Sequence, residues 1–147
     1  MGKKTFKSKF VTKLTADIDV SGKTLTLTRD LIFFDKAGCL WKAPKGATAN
    51  GASFDADKRK LKWLGRSIMF LMGPRLMDFW AWATVLHDYY CDHGKEAGVK
   101  SQAVHDMFLE AMLVCIDMIN YWGKERKKAI KKAHLFHWAV SKHGPRW

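Results

Sequence analysis

A histidine and an aspartate stand side by side in Val85-Leu86-His87-Asp88-Tyr89-Tyr90-Cys91, and a further aspartate follows in Val104-His105-Asp106-Met107-Phe108. An aspartate that accepts a hydrogen bond from one imidazole nitrogen fixes the tautomer and leaves the other nitrogen able to take a proton from water. On that logic His87 is the candidate base and Asp106 its orienting partner. Asp88 projects about 100° from His87 on a helix, where it can hold a hard cation or cap local structure. The same His and Asp also serve as a mutually satisfied buried pair with no chemistry at all, and spacing alone favours that plainer reading.

Other candidates are weaker. His87 and Cys91 are four apart, the spacing of a two-ligand metal clip, but no second pair accompanies them and core packing explains Cys91 as well. His134 and His137 lie in a lysine-rich stretch and read as surface or rim residues. Ser53 follows a glycine loop but lacks the G-x-S-x-G elbow of a serine nucleophile. There is no Walker loop and no dinucleotide fingerprint.

The elements that must position these residues change character near Gly51. Before it, Thr24-Leu25-Thr26-Leu27-Thr28 alternates with period two after a Ser21-Gly22-Lys23 turn signal. Residues 6–14 read as its partner strand. Residues 31–34 and 39–41 read as a hairpin around Asp35-Lys36-Ala37-Gly38. After Gly51 the period is helical. A first helix is expected over 56–71, stopped by Gly73-Pro74. A second begins near Arg75 and carries Phe79, Ala83, His87 and Tyr90 on its apolar side. A third, capped by Ser101 and reaching about Ile119, is apolar nearly all round, the mark of a central helix. A fourth spans 124–141. If the second and third helices pack antiparallel, His87 and Asp106 both lie near the loop that joins them. The expected fold class is α+β: a small N-terminal antiparallel sheet or hairpins (1–53) followed by a bundle of about four helices (54–147), in one domain.

The order of these segments resembles an uncharacterised family common in phages and prophages, the domain of unknown function 1353. Its members carry a T-D-x-A-S loop, an H-D-x-x-Y helix and an A-D-x-x-F-L-E-A-M helix. The matching segments here are Ala49-Asn50-Gly51-Ala52-Ser53, His87-Asp88-Tyr89-Tyr90-Cys91 and His105-Asp106-Met107-Phe108-Leu109-Glu110-Ala111-Met112. Two positions depart from the pattern. Asn50 replaces an acid, which removes a carboxylate from any metal site there, and Cys91 replaces the aromatic. Both changes fit a site that has decayed or been repurposed. A shorter likeness, to phospholipases of the A-two class, implies that His87 is the base for an attacking water, Asp88 helps hold calcium with the Asn50 loop nearby, and Asp106 orients the histidine. The glycine-rich calcium loop of those enzymes has no clear counterpart.

The chain of 147 residues carries 26 Lys and Arg against 14 Asp and Glu, a formal charge of +12. Lys3, Lys4, Lys7, Lys9 and Lys13 load one end. Lys124, Arg126, Lys127, Lys128, Lys131, Lys132, Lys142 and Arg146 load the other, against Glu125 alone. Fields of that sign favour anionic partners: an acidic protein face, nucleic acid or an anionic surface. Trp147, beside Arg146, reads as an exposed docking tail. No apolar run reaches the length of a membrane span, the start lacks a signal-peptide pattern, and three separated cysteines suit a reducing compartment. The expected location is the host cytoplasm, or the virion for a structural component. Three functions compete. The first is a phage-derived binding or assembly protein (a virion component or an inhibitor of a host factor) acting through basic surfaces. The second is a His-Asp hydrolase, calcium-assisted, on an ester or cell-envelope substrate. The third is a non-specific nucleic-acid-binding accessory protein.

Overall fold

The computed structural model describes residues 6–20, 24–49 and 81–147. The helix expected over 56–71, the expected start near Arg75, Asn50 and Ser53 all lie outside the described residues. Among the described residues six short strands come first: β1 (Lys9–Phe10), β2 (Ala16–Ile18), β3 (Leu25–Leu27), β4 (Leu31–Phe34), β5 (Leu40–Ala43) and β6 (Thr48–Ala49). Three helices follow among the described residues: α1 (Ala81–His93), α2 (Ser101–Met118) and α3 (Gly123–His143). The fold class is α+β.

The strands form two three-stranded antiparallel sheets, β1-β4-β5 and β2-β3-β6. Alternation along β3 and β4 buries Leu25, Leu27, Leu31 and Phe33 while their neighbours stay half-buried. That period-two burial is what a sheet with one covered face requires. The expected partner of β3 is corrected: residues 9–10 pair with β4, while β3 pairs with β2 and β6. A two-residue strand carries too little alternation to declare its neighbour.

The β4–β5 hairpin turns where the Asp35 to Gly38 segment stands. Gly38 has φ +80°, a conformation that costs glycine nothing. Asp35 ties the turn to the strand beyond it. Its Oδ1 accepts from the Cys39 amide at 2.8 Å and its Oδ2 from Trp41 Nε1 at 2.9 Å. Asp35 is buried, so its removal strands the buried Trp41 N–H and frees the Cys39 amide of the turn. Asp35→Ala should cost about 1–3 kcal/mol, read as a lower urea midpoint at an unchanged m-value.

α2 is the central helix, packed against both α1 and α3, and α1 also lies on β5 and β6. Its buried side includes Val104, His105, Phe108, Ala111, Met112 and Ile116. Ser101 is not the cap that the sequence suggested. Lys100 occupies the cap position, with no side-chain cap hydrogen bond. Glu110, half-buried on α2, reaches back to the β part: its Oε2 accepts from Ser8 Oγ at 2.8 Å and from the Lys36 amide at 2.9 Å. One carboxylate thus pins the N-terminal segment and the β4–β5 turn to the central helix.

Candidate functional site

α1 delivers His87 inward, one turn after the fully buried Ala83, as the helical period requires. The ring is 2% exposed. It stacks on Phe108 of α2 at 4.2 Å between centroids, with 26° between planes. Its Nε2 lies 3.0 Å from Nδ1 of His105. His105 is also buried, and its Nε2 lies 3.1 Å from the Pro145 carbonyl oxygen. A carbonyl only accepts, so His105 carries its proton on Nε2 and a lone pair on Nδ1. His87 must then donate from Nε2. The two imidazoles form a directed chain, His87 to His105 to the Pro145 carbonyl, and both rings are neutral in it.

Burial enforces that neutrality. Loss of solvation, followed by the neighbouring His105, pushes His87 down to about 3. Burial likewise lowers His105, against a smaller raising contribution from the Pro145 hydrogen bond. The Cys91 thiol is pushed up to about 12, chiefly by burial and then by the Asp88 and Asp92 carboxylates. Its sulfur lies 3.7 Å from Nδ1 and 3.6 Å from Nε2 of His87. Near-equal distances place it over the ring and not on either in-plane lone pair. Cys91 is therefore a neutral packing group, and the His87–Cys91 clip lacks the geometry to share a metal. Cys115 is held protonated by burial in the same way, near 12.

The expected His87–Asp106 pair is corrected. Asp106 is exposed, and its Oδ1 accepts from His137 Nε2 of α3 at 2.8 Å and from Gln102 Nε2 at 2.9 Å. Consecutive helical residues diverge by about 100°, so His105 turning inward sends Asp106 outward. The partner of His87 is the residue just before the expected one. Asp88 is 5% exposed beside His87. Among the described residues, no group of three His, Cys, Asp or Glu side chains is placed to hold a metal ion.

The basic residues of α3 divide into two sets. Lys124, Lys127, Lys128, Lys131 and Lys142 fall with Leu135 and Trp138 within an arc of about 100° on one helix face, over about 27 Å of axis. All seven are exposed, Leu135 at 42% and Trp138 at 48%. Lys132 flanks this face. Among the described residues, Glu125 is the acid that meets it, 3.3 Å from Lys128. Arg126 belongs elsewhere, bound to Asp117 at 2.7 Å.

The last residues do not form a free tail. Arg146 Nη2 donates to the Ser141 and Lys142 carbonyls at 3.1 and 2.9 Å, closing the end of α3. Trp147 is half-buried and donates from Nε1 to the Val99 carbonyl at 2.6 Å. Its ring lies against Gly94, where an added Cβ would come within 2.7 Å of Trp147 Cζ2. The docking-tail expectation fails because the α1–α2 loop offers both a carbonyl and a gap for the indole. Sequence reasoning also passed over His105 and Leu135. The signal for His105 was its spacing from Phe108 and Met112, which puts it on the buried side of α2.

Among the described residues, no helix is long and apolar enough to cross a membrane. No protein-family profile matches the chain, and no solved structure matches it. Over 123 residues it is 26% identical to the uncharacterised protein y4jT of Sinorhizobium fredii, an alignment that covers 82% of this chain and 29% of that protein. The chain thus spans less than a third of the length of the relative it matches.

Proposed function

We propose that the chain is a binding module of phage origin, a virion component or an inhibitor of a host factor, that docks an acidic protein surface through the outward face of α3. The observation that carries this reading is the set of five exposed lysines around exposed Leu135 and Trp138 on that one face. Lysines on a rim steer an acidic partner and set the encounter rate. A tryptophan amid them supplies the apolar anchor that concentrates binding energy. A polymer of phosphates would use the lysines but has no need of Leu135. The hydrolase reading ranks lower because a base poised for catalysis works near its own pKa, and His87 sits sealed and neutral with its pKa near 3.

The test is retention of partners from nuclease-treated bacterial extract by the immobilised chain. The combined variant K124E/K128E/K131E/K142E should abolish retention. Trp138→Ala, which leaves the charge intact, should weaken it at least tenfold, the size of an interface hot spot. A partner retained equally by both variants would overturn the assignment. Retention lost on nuclease treatment, indifferent to Trp138→Ala and falling steeply with salt, would move the function to nucleic acid.

A further inference from the structure

On the side of α2 that carries Glu110, the N-terminal segment, the β4–β5 turn, α2 and α3 line a cavity of about 650 Å³ that opens to the surface. Its apolar part comes from Leu113, Val114 and Ile116 of α2 and Ile130 of α3, with Phe6 at the margin. Three ionic side chains in its wall, Glu110, Asp117 and Arg126, are bound to protein partners. Glu110 holds Ser8 and the Lys36 amide, and Asp117 holds Arg126. These contacts fix the wall: Asp117 and Arg126 cancel each other's charge, while Glu110 stays anionic with its Oε2 taken up by two neutral donors. Lys7 and Lys36 also line the cavity, and their ammonium groups pair with no carboxylate among the described residues. What remains for a ligand is an apolar floor, the His134 ring and two uncommitted lysine charges that outnumber the single Glu110 charge.

We infer that this cavity binds a small amphiphilic carboxylate, an alkyl chain lying on Leu113, Val114 and Ile130 with its head toward Lys7 and Lys36. Volumes of roughly 300–1,000 Å³ suit ligands of that size, and a few placed charges on an apolar lining set orientation. An anion is selected over a cation because both wall carboxylates already accept hydrogen bonds, whereas the lysines have none to give up. The inference is independent of the α3 docking face, since neither Lys7 nor Lys36 belongs to α3.

Calorimetric titration of the full chain with hexanoate, octanoate and decanoate below their micelle concentrations tests it. Affinity should rise with length, up to about fourfold per methylene for full burial. The double variant K7E/K36E should weaken octanoate at least tenfold while leaving 1-octanol unchanged. Val114→Trp, which fills the floor, should abolish binding of both, with circular dichroism checking that it folds. Should Val114→Trp fail to fold, the exposed double variant decides alone. Absence of saturable binding at millimolar ligand, affinity indifferent to chain length, or octanoate affinity unmoved by K7E/K36E would each overturn the inference.

Discussion

Acidification from pH 6.5 toward 3 should cost the fold about 1.4 kcal/mol per pH unit through His87 alone. The sign follows from which state takes the proton. In the unfolded chain His87 titrates at its ordinary 6.5; in the fold burial and His105 hold it near 3. Between those values the unfolded state carries one more proton than the native state, so stability rises with pH. The contribution is complete above 6.5 and is lost progressively as pH falls through the window. His105, lowered in the same direction, steepens the upper part of the curve. The comparison that isolates His87 is His87→Gln. Glutamine retains an N–H to offer His105 Nδ1 but has no proton to gain in this range. Urea midpoints for both proteins between pH 4 and 7 should converge at low pH, the variant's profile being shallower by that slope. Carboxylates titrate in both proteins and cancel in the difference. Parallel profiles would mean that His87 is solvated and free to protonate, and the sealed chain of imidazoles would be wrong.

The same chain bears on how an active site is read from a motif. Taken from sequence, His87 with Asp106 resembles a base and its orienter. In the fold, the histidine donates to a second histidine, which is itself tied to a backbone carbonyl. A neutral imidazole with its Nε2 proton committed and its face against Phe108 satisfies the core. Asp106 instead ties α2 to α3 through His137, a surface contact with partial solvent access. Contacts of that kind are worth little, about 0–1 kcal/mol, so Asp106 contributes less to the molecule than its place in the motif suggests.

Legibility in the sequence tracks how local the cause is. The alternation of Leu25 and Leu27, the hairpin flanking Asp35 and Gly38, and the inward side of α1 are dictated by residues within a few positions of one another, and the fold contains all three. The apolar girth of residues 104–116 placed α2 at the centre for the same reason. What failed was non-local. The pairing of β1 with β4 depends on which face the helices cover. The choice between His105 and Asp106 depends on a rotation of one residue about α2, decided by packing against Phe108 and His87. The seat of Trp147 depends on a gap over Gly94 and an acceptor at Val99, some 50 positions away in the chain. The basic face of α3 was half legible: the charges were plain, while the separation of Arg126 from the lysines follows from Asp117, on another helix.

That seat carries the other large effect. Trp147→Ala should lower stability by about 2–4 kcal/mol, short of the full cost of a buried tryptophan because the ring is half-exposed. Two losses combine in it. The Val99 carbonyl loses its 2.6 Å donor, and the ring leaves the surface of Gly94 bare. Trp147→Phe separates them, since it keeps most of the packing and removes the N–H; its cost should be near 1 kcal/mol. Gly94→Ala attacks the seat from the opposite side. Its methyl would stand 2.7 Å from Trp147 Cζ2 and 2.5 Å from the Tyr90 carbonyl oxygen, closer than real contacts allow, at a cost of about 1–3 kcal/mol. The clash with Tyr90 persists whatever occupies residue 147, whereas the clash with the indole vanishes in Trp147→Ala. The double variant should therefore be less destabilised than the sum of the singles, by about 0.5–3 kcal/mol for residues in contact. Strict additivity in urea unfolding would place the indole away from Gly94. A sub-additive result would establish that segment 145–147, which also accepts the His105 proton at Pro145, is an integral wall of the helical core.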